Sequence, residues 1–159
     1  MTALFIRNLV FTILQPGIVA GLIPYWILGV SAKEIFVKQV RQPGLHYLGA
    51  IIFVIGFVIM LSCIINFAVK GRGTLSPIDP TKKLVVVGFY NFSRNPMYVG
   101  VILILIGEAV FFQSIELWIY SFFVFIGFHF FAILVEEPRL RRDFGEEYER
   151  YCEKVRRWI

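Results

Sequence analysis

Two short clusters hold most of the residues in this chain that could do chemistry in an apolar setting. One is the acid pair Glu136-Glu137. Adjacent carboxylates at a low-dielectric boundary repel each other, so each needs a cation or a hydrogen-bond donor beside it. Arg139, Arg141 and Arg142 in the following turn, or headgroup water, are one supply, and a bound ligand is another. His129 precedes Glu136 by seven residues, about two helical turns, which predicts a shared helix face. The other cluster runs from Gly88-Phe89-Tyr90 to Arg94-Asn95-Pro96-Met97-Tyr98-Val99-Gly100. Pro96 suits the first turn of a helix, where its missing N–H would have had no partner. Arg94 and Asn95 then stand at that helix's N-terminus, where free N–H groups and the positive dipole end favour an anionic group. Gly100 admits the close approach of another backbone or of a flat ligand. Each residue also has a plainer role: a packing histidine, a capped helix start, an arginine that reaches phosphate.

The elements that must position these clusters are membrane helices. Of 159 residues, 58% are hydrophobic and the mean hydropathy is +0.73, far more apolar surface than a soluble core of this size absorbs. Residues 9–30 and 48–69 are uncharged runs of about the 20 residues that a helix needs to cross the bilayer. The apolar stretch from Met97 to Val135 breaks near Gln113-Ser114, which predicts a third span over 97–113, a fourth over 115–135 and a tight antiparallel hairpin between them. Pro16 and Pro24 predict a kinked first span, retained because it is long for a signal sequence. Glu108, the acid well inside a span, is read as mainly structural, and Asn66 and Cys63 as neighbours of the polar cavity.

The 16 Lys and Arg residues cluster at the ends of apolar runs, where anionic headgroups are the simpler partner than nucleic acid. With four spans, Arg7, Lys70, Arg72, Lys82, Lys83, Arg94 and the basic tail share one side, against Lys33, Lys38 and Arg41 on the other. The positive-inside rule makes the first side, with the 70–96 loop and both clusters, cytosolic. Beyond Pro138, the residues Leu140, Phe144, Tyr148, Tyr151, Val155 and Trp158 form one apolar stripe, which predicts an amphipathic helix over 138–159 lying along the headgroups, interrupted at Gly145. Two cysteines without metal-ligand spacing imply no metal site and no disulfide framework. The expectation is a single all-α integral membrane domain over 1–159, multi-pass, with about four transmembrane helices and a C-terminal interfacial helix.

Taken in order, the two clusters with His129, Leu140, Phe144-Gly145, Tyr148 and Tyr151 resemble the C-terminal half of the isoprenylcysteine carboxyl methyltransferase family and its phospholipid methyltransferase relatives. The likeness covers about 70 residues, from Val87 onward. It implies a membrane methyltransferase that uses S-adenosylmethionine, without a Rossmann domain, on a lipid or lipid-like acceptor. Carried across by position, the family's cofactor site falls on Tyr90, Asn95, Pro96, Gly100, His129, Glu136, Glu137, Leu140 and Tyr148, with Arg94, Tyr98 and His129 as catalytic candidates. Asn95 stands where the prenylcysteine enzymes have His, and Phe89 where Pro is usual, which weakens a prenylcysteine acceptor in particular. The cofactor's ammonium, carboxylate, ribose and adenine ask for acids, a base and a flat apolar slot, which the clusters supply. A non-catalytic membrane subunit that kept the fold is the alternative.

Overall fold

The computed structural model describes residues 16–35, 42–70 and 84–158, and all of the regular structure among them is helical. The basic residues Arg7, Lys38, Arg41, Arg72, Lys82 and Lys83, on which the charge count leaned, lie outside the described residues.

The first described helix opens with a π turn, Ile18–Leu22, and continues as α1, Ile23–Ile35. Pro24 has no N–H for the carbonyl four residues before it, and the ladder accommodates this by widening: Ile23 N–H donates to the Ile18 carbonyl, five residues back. The expected proline kink therefore takes the form of a π turn. Tyr120 holds it from a later helix, donating its hydroxyl to the Val19 carbonyl at 2.8 Å.

Helix α2, Pro43–Lys70, and helix α3, Pro96–Phe112, form the closest pair. Glycines at the crossing allow it. A Cβ built on Gly56 would lie 2.7 Å from the Gly100 carbonyl oxygen, and one on Gly107 would lie 2.6 Å from the Phe53 nitrogen. Backbone meets backbone here, as in small-residue contacts between membrane helices, where close van der Waals packing replaces the hydrophobic drive that lipid removes. Gly100 thus serves helix packing. Beside this crossing, at its far end from the polar clusters, Gly49, Phe53, Gly107, Glu108 and Phe111 line a cavity of about 330 Å³.

The hairpin between the third and fourth runs is present. Helix α3 ends at Gln113 in the left-handed conformation (φ 52°), and Ser114 caps α4, Ile115–Phe131, by accepting the Leu117 N–H at 3.3 Å. The chain then passes through a second π turn, Ala132–Glu136, into α5, Glu137–Phe144, so the apolar helix runs unbroken over Ile115–Phe144. Among the described residues, Gly44–Asn66 and Ile115–Phe144 are long and apolar enough to cross a membrane; Ile18–Gly29 and Pro96–Phe112 are apolar but shorter. Their lipid-type surface is evident in outward large side chains such as Tyr25, Ile51, Val54, Trp118, Phe122 and Phe123.

The tail breaks at Gly145 (φ 50°), as its sequence suggests, and resumes as α6, Glu146–Lys154. Its aromatic stripe does not face outward into headgroups. Tyr148, Tyr151 and Val155 are buried against Leu84, Leu140 and Phe144, because the extended segment before α3 supplies an apolar surface that the tail covers. After Lys154 the backbone becomes extended (Val155 φ −124°, ψ 129°), and residues 155–158 run as a strap across the start of α3.

Candidate functional site

The site assembles where four pieces meet: the short 3-10 turn Gly88–Asn91, the start of α3, the π turn ending at Glu136, and the strap. Their convergence follows from the buried hydroxyl of Tyr151, which donates to the Tyr90 carbonyl at 2.6 Å and so ties α6 to the loop before α3. Tyr90 packs in turn with Cys63 and Val85, which anchors that loop on α2. Burial holds the phenols of Tyr90, Tyr148 and Tyr151 well above their ordinary range, so all three stay protonated donors.

The π turn decides what each acid touches. In an unbroken α-helix, Glu136 would come within about 20° of His129 around the axis. A π turn spends an extra residue, which rotates everything after it back by about 100°. Glu136 therefore lies on the face of Phe128, and Glu137 on the face of His129. The contacts agree. Tyr98 stacks on Phe128 (centroids 4.4 Å, 15° between planes) and donates its hydroxyl to Glu136 Oε1 at 2.8 Å. His129 instead meets the strap: Trp158 Nε1–H donates to His129 Nδ1 at 3.2 Å. The shared face expected for His129 and Glu136 is thus replaced by a division between two faces, and the physical cause is the widened turn.

Glu137 is buried and held by two guanidinium groups. Arg157 donates from Nε to Oε1 at 2.6 Å and from its terminal nitrogen to Oε2 at 3.1 Å, and Arg94 approaches Oε1 at 3.4 Å. The bidentate fork matches the carboxylate plane and is the strongest form of such a pair. The Arg157 guanidinium is held above its ordinary range, chiefly by its hydrogen bonds to Glu137. Glu136 has Tyr98 as its hydrogen-bond partner among the described residues. Arg94 also donates to Cys152 Sγ at 2.9 Å, while its Nε is buried and makes no hydrogen bond among the described residues.

Asn95 occupies the N-cap position of α3, but its side chain does not cap; its amide donates to the Arg157 carbonyl at 3.1 Å. Ser93 hydroxyl donates to that same carbonyl at 3.3 Å, and the Arg94 N–H to the Arg156 carbonyl at 2.9 Å. Pro96 starts α3 as its composition suggests.

Of the residues singled out from the sequence, Arg94, Asn95, Tyr98, His129, Glu136 and Glu137 come together here. Tyr90, Leu140 and Tyr148 lie behind them in apolar packing, and Gly100 faces α2. Arg157, Trp158, Ser93 and Cys152 were not singled out as site residues. Their partners lie far away in sequence, Arg157 from Ser93 by 64 positions, so no local spacing could reveal them. Among the described residues no group of His, Cys, Asp and Glu is arranged to hold a metal ion.

A family model described as phospholipid methyltransferase matches residues 45–147 of this chain. An uncharacterised protein of Haemophilus influenzae (strain ATCC 51907 / DSM 11121 / KW20 / Rd) is 35% identical to it over 63 residues, 40% of this chain and 100% of that protein. No solved structure matches. The strap, residues 155–158, lies beyond the segment matched by the family model.

Proposed function

The chain belongs to the phospholipid methyltransferase family, and on that premise we propose that it is a membrane methyltransferase that uses S-adenosylmethionine on a lipid or lipid-like acceptor at the cytosolic face. The observation that carries this reading is the unequal treatment of the two acids. Glu137 is neutralised by Arg94 and Arg157, whereas Glu136 has one hydrogen bond among the described residues, from Tyr98 to Oε1, and the buried Arg94 Nε has none there. An acid with one oxygen to spare and a guanidinium N–H without a bond, with Phe128 on the acid's side and Phe125 and Trp158 beside His129, fit a ligand with an ammonium or ribose hydroxyls, a carboxylate and a flat ring.

In this reading Glu136 accepts from the cofactor's ammonium or hydroxyls, and Arg94 or the N-terminus of α3 donates to its carboxylate. Tyr90, Asn95, Pro96, Gly100, Glu137, Leu140 and Tyr148 hold the frame. S-adenosylmethionine, when bound, supplies a methyl group already activated on a sulfonium. What the chain adds is orientation and exclusion of water. For an acceptor that carries a proton on its attacking atom, Tyr98 Oη takes that proton as its own passes to Glu136 Oε1, 2.8 Å away, leaving the acid neutral. A carboxylate acceptor needs no such step. Isoprenylcysteine carboxylate and phospholipid amine are the two acceptor classes to try first, and the latter is favoured by Asn95 and Phe89.

Four spans, with the loop before α3 and the tail on the cytosolic side, agree with a cofactor made in the cytosol. The test is calorimetric titration of S-adenosylmethionine into the detergent-purified protein. Saturable binding that weakens at least tenfold in Glu136→Gln supports the proposal. A folded wild type that binds none overturns it and leaves a non-catalytic subunit in its place.

A further inference from the structure

The strap does more than close the site. Trp158 is aimed at one atom: its Nε1–H donates to His129 Nδ1 at 3.2 Å, with the two rings tilted by 23° and their centroids 5.9 Å apart. An indole nitrogen only donates, so the atom that receives it must carry a lone pair. In a neutral imidazole one nitrogen is then an acceptor and the other bears the hydrogen. Which nitrogen is which follows from the hydrogen bond already made.

Trp158 has little freedom to let go. The residues before it are pinned by the Arg156 and Arg157 carbonyls, which accept from Arg94 N–H, Asn95 Nδ2 and Ser93 Oγ, and by the Arg157 fork on Glu137. On its other side the indole packs on Phe125, with centroids 5.2 Å apart. Among the described residues His129 Nε2 has no hydrogen-bond partner.

We propose that Trp158 is a positioning residue that fixes His129 in the Nε2–H tautomer, so that His129 serves the site as a hydrogen-bond donor to a ligand oxygen and not as the base that deprotonates the acceptor. The ligand assignment rests on the methyltransferase reading; the tautomer does not. His129 then leaves proton removal to the Tyr98–Glu136 pair, and its Nε2–H meets a hydroxyl, carboxylate or phosphate oxygen.

The test uses the full-length protein in detergent with ¹⁵N-labelled histidine. The chain has two histidines, His46 and His129, so the imidazole spectrum is short and a His46→Gln variant assigns it. Two-bond nitrogen–proton correlations distinguish the two neutral tautomers from each other and from the imidazolium cation. The expected result, without any cofactor, is His129 wholly as Nε2–H. In Trp158→Phe, which keeps an aromatic ring against Phe125, both tautomers should be populated. A wild-type Nδ1–H signal overturns the proposal whether or not the variant folds, and so does a folded variant whose tautomer is unchanged. Titrating S-adenosylmethionine into the same sample separates the two ideas: failure to bind defeats the proposed function and leaves the tautomer result standing.

Discussion

Glu136 and Glu137 are neighbours in sequence, yet neutralising them should have opposite consequences. Glu137→Gln removes the anion from between Arg94, whose side chain is 13% exposed, and Arg157, at 31%. Removing one partner of a buried ion pair costs about 3–5 kcal/mol when the remaining charge is fully enclosed. Arg157 is partly in solvent, so the expected loss is nearer about 2–3 kcal/mol, roughly a 30- to 150-fold rise in the unfolding equilibrium constant. Glu136→Gln keeps an amide oxygen that accepts from Tyr98, so its cost is that of converting a charged hydrogen bond to a neutral one, about 1 kcal/mol or less. Its effect should appear in S-adenosylmethionine affinity instead, where a lost charge-assisted hydrogen bond of about 1.5–3 kcal/mol weakens binding roughly 10- to 150-fold. Unfolding in mixed micelles can be followed by thiol labelling of Cys63, which is fully buried in the native fold. Equal destabilisation by the two substitutions, or an unaffected Glu137→Gln, would refute the division of roles.

Two further substitutions probe the frame. Gly56→Val drives a branched side chain into the α3 backbone, where even its Cβ would lie 2.7 Å from the Gly100 carbonyl; a loss of about 1–3 kcal/mol or more is expected in the same assay. Gly127→Ala, with nothing within 4 Å, is its neutral control. Tyr151→Phe removes the hydroxyl that donates to the Tyr90 carbonyl, at a cost of about 0.5–1.5 kcal/mol. Amide exchange over residues 88–93 should accelerate, because that hydroxyl is what ties the loop to α6.

The apolar runs could be read directly because lipid removes every alternative for the backbone but helix or closed barrel, and because hydropathy is additive along a chain. Among the described residues, helices lie where the apolar runs predict them, with α2 starting at Pro43 instead of 48, α1 extending to Ile35 and the fourth run continuing as helix to Phe144 instead of 135; the predicted start of the first run, residue 9, lies outside the described residues. Pro96, the turn at Gln113-Ser114 and the break at Gly145 were equally local, since each depends on the backbone preferences of one or two residues. The tail's stripe was read correctly as apolar and assigned to the wrong neighbour: periodicity shows that a face is buried, never against what.

Sequence alone also placed an acid pair, a histidine and the Arg94–Gly100 segment on one apolar helical hairpin, through their order and residue types. Tertiary structure decided the rest. The π turn at Ala132–Glu136 shifts the register by one residue, which gives Glu137 the His129 face that Glu136 would have had and moves Glu136 to the face of Phe128, a rotation that no α-helical spacing contains. The closure by residues 155–158 depends on contacts across about 60 positions, made possible only when α6 has covered the loop before α3. The arginine fork on Glu137 and the nitrogen of His129 that carries its hydrogen are consequences of that closure, because a side chain's chemistry is set by the partners that the fold brings to it.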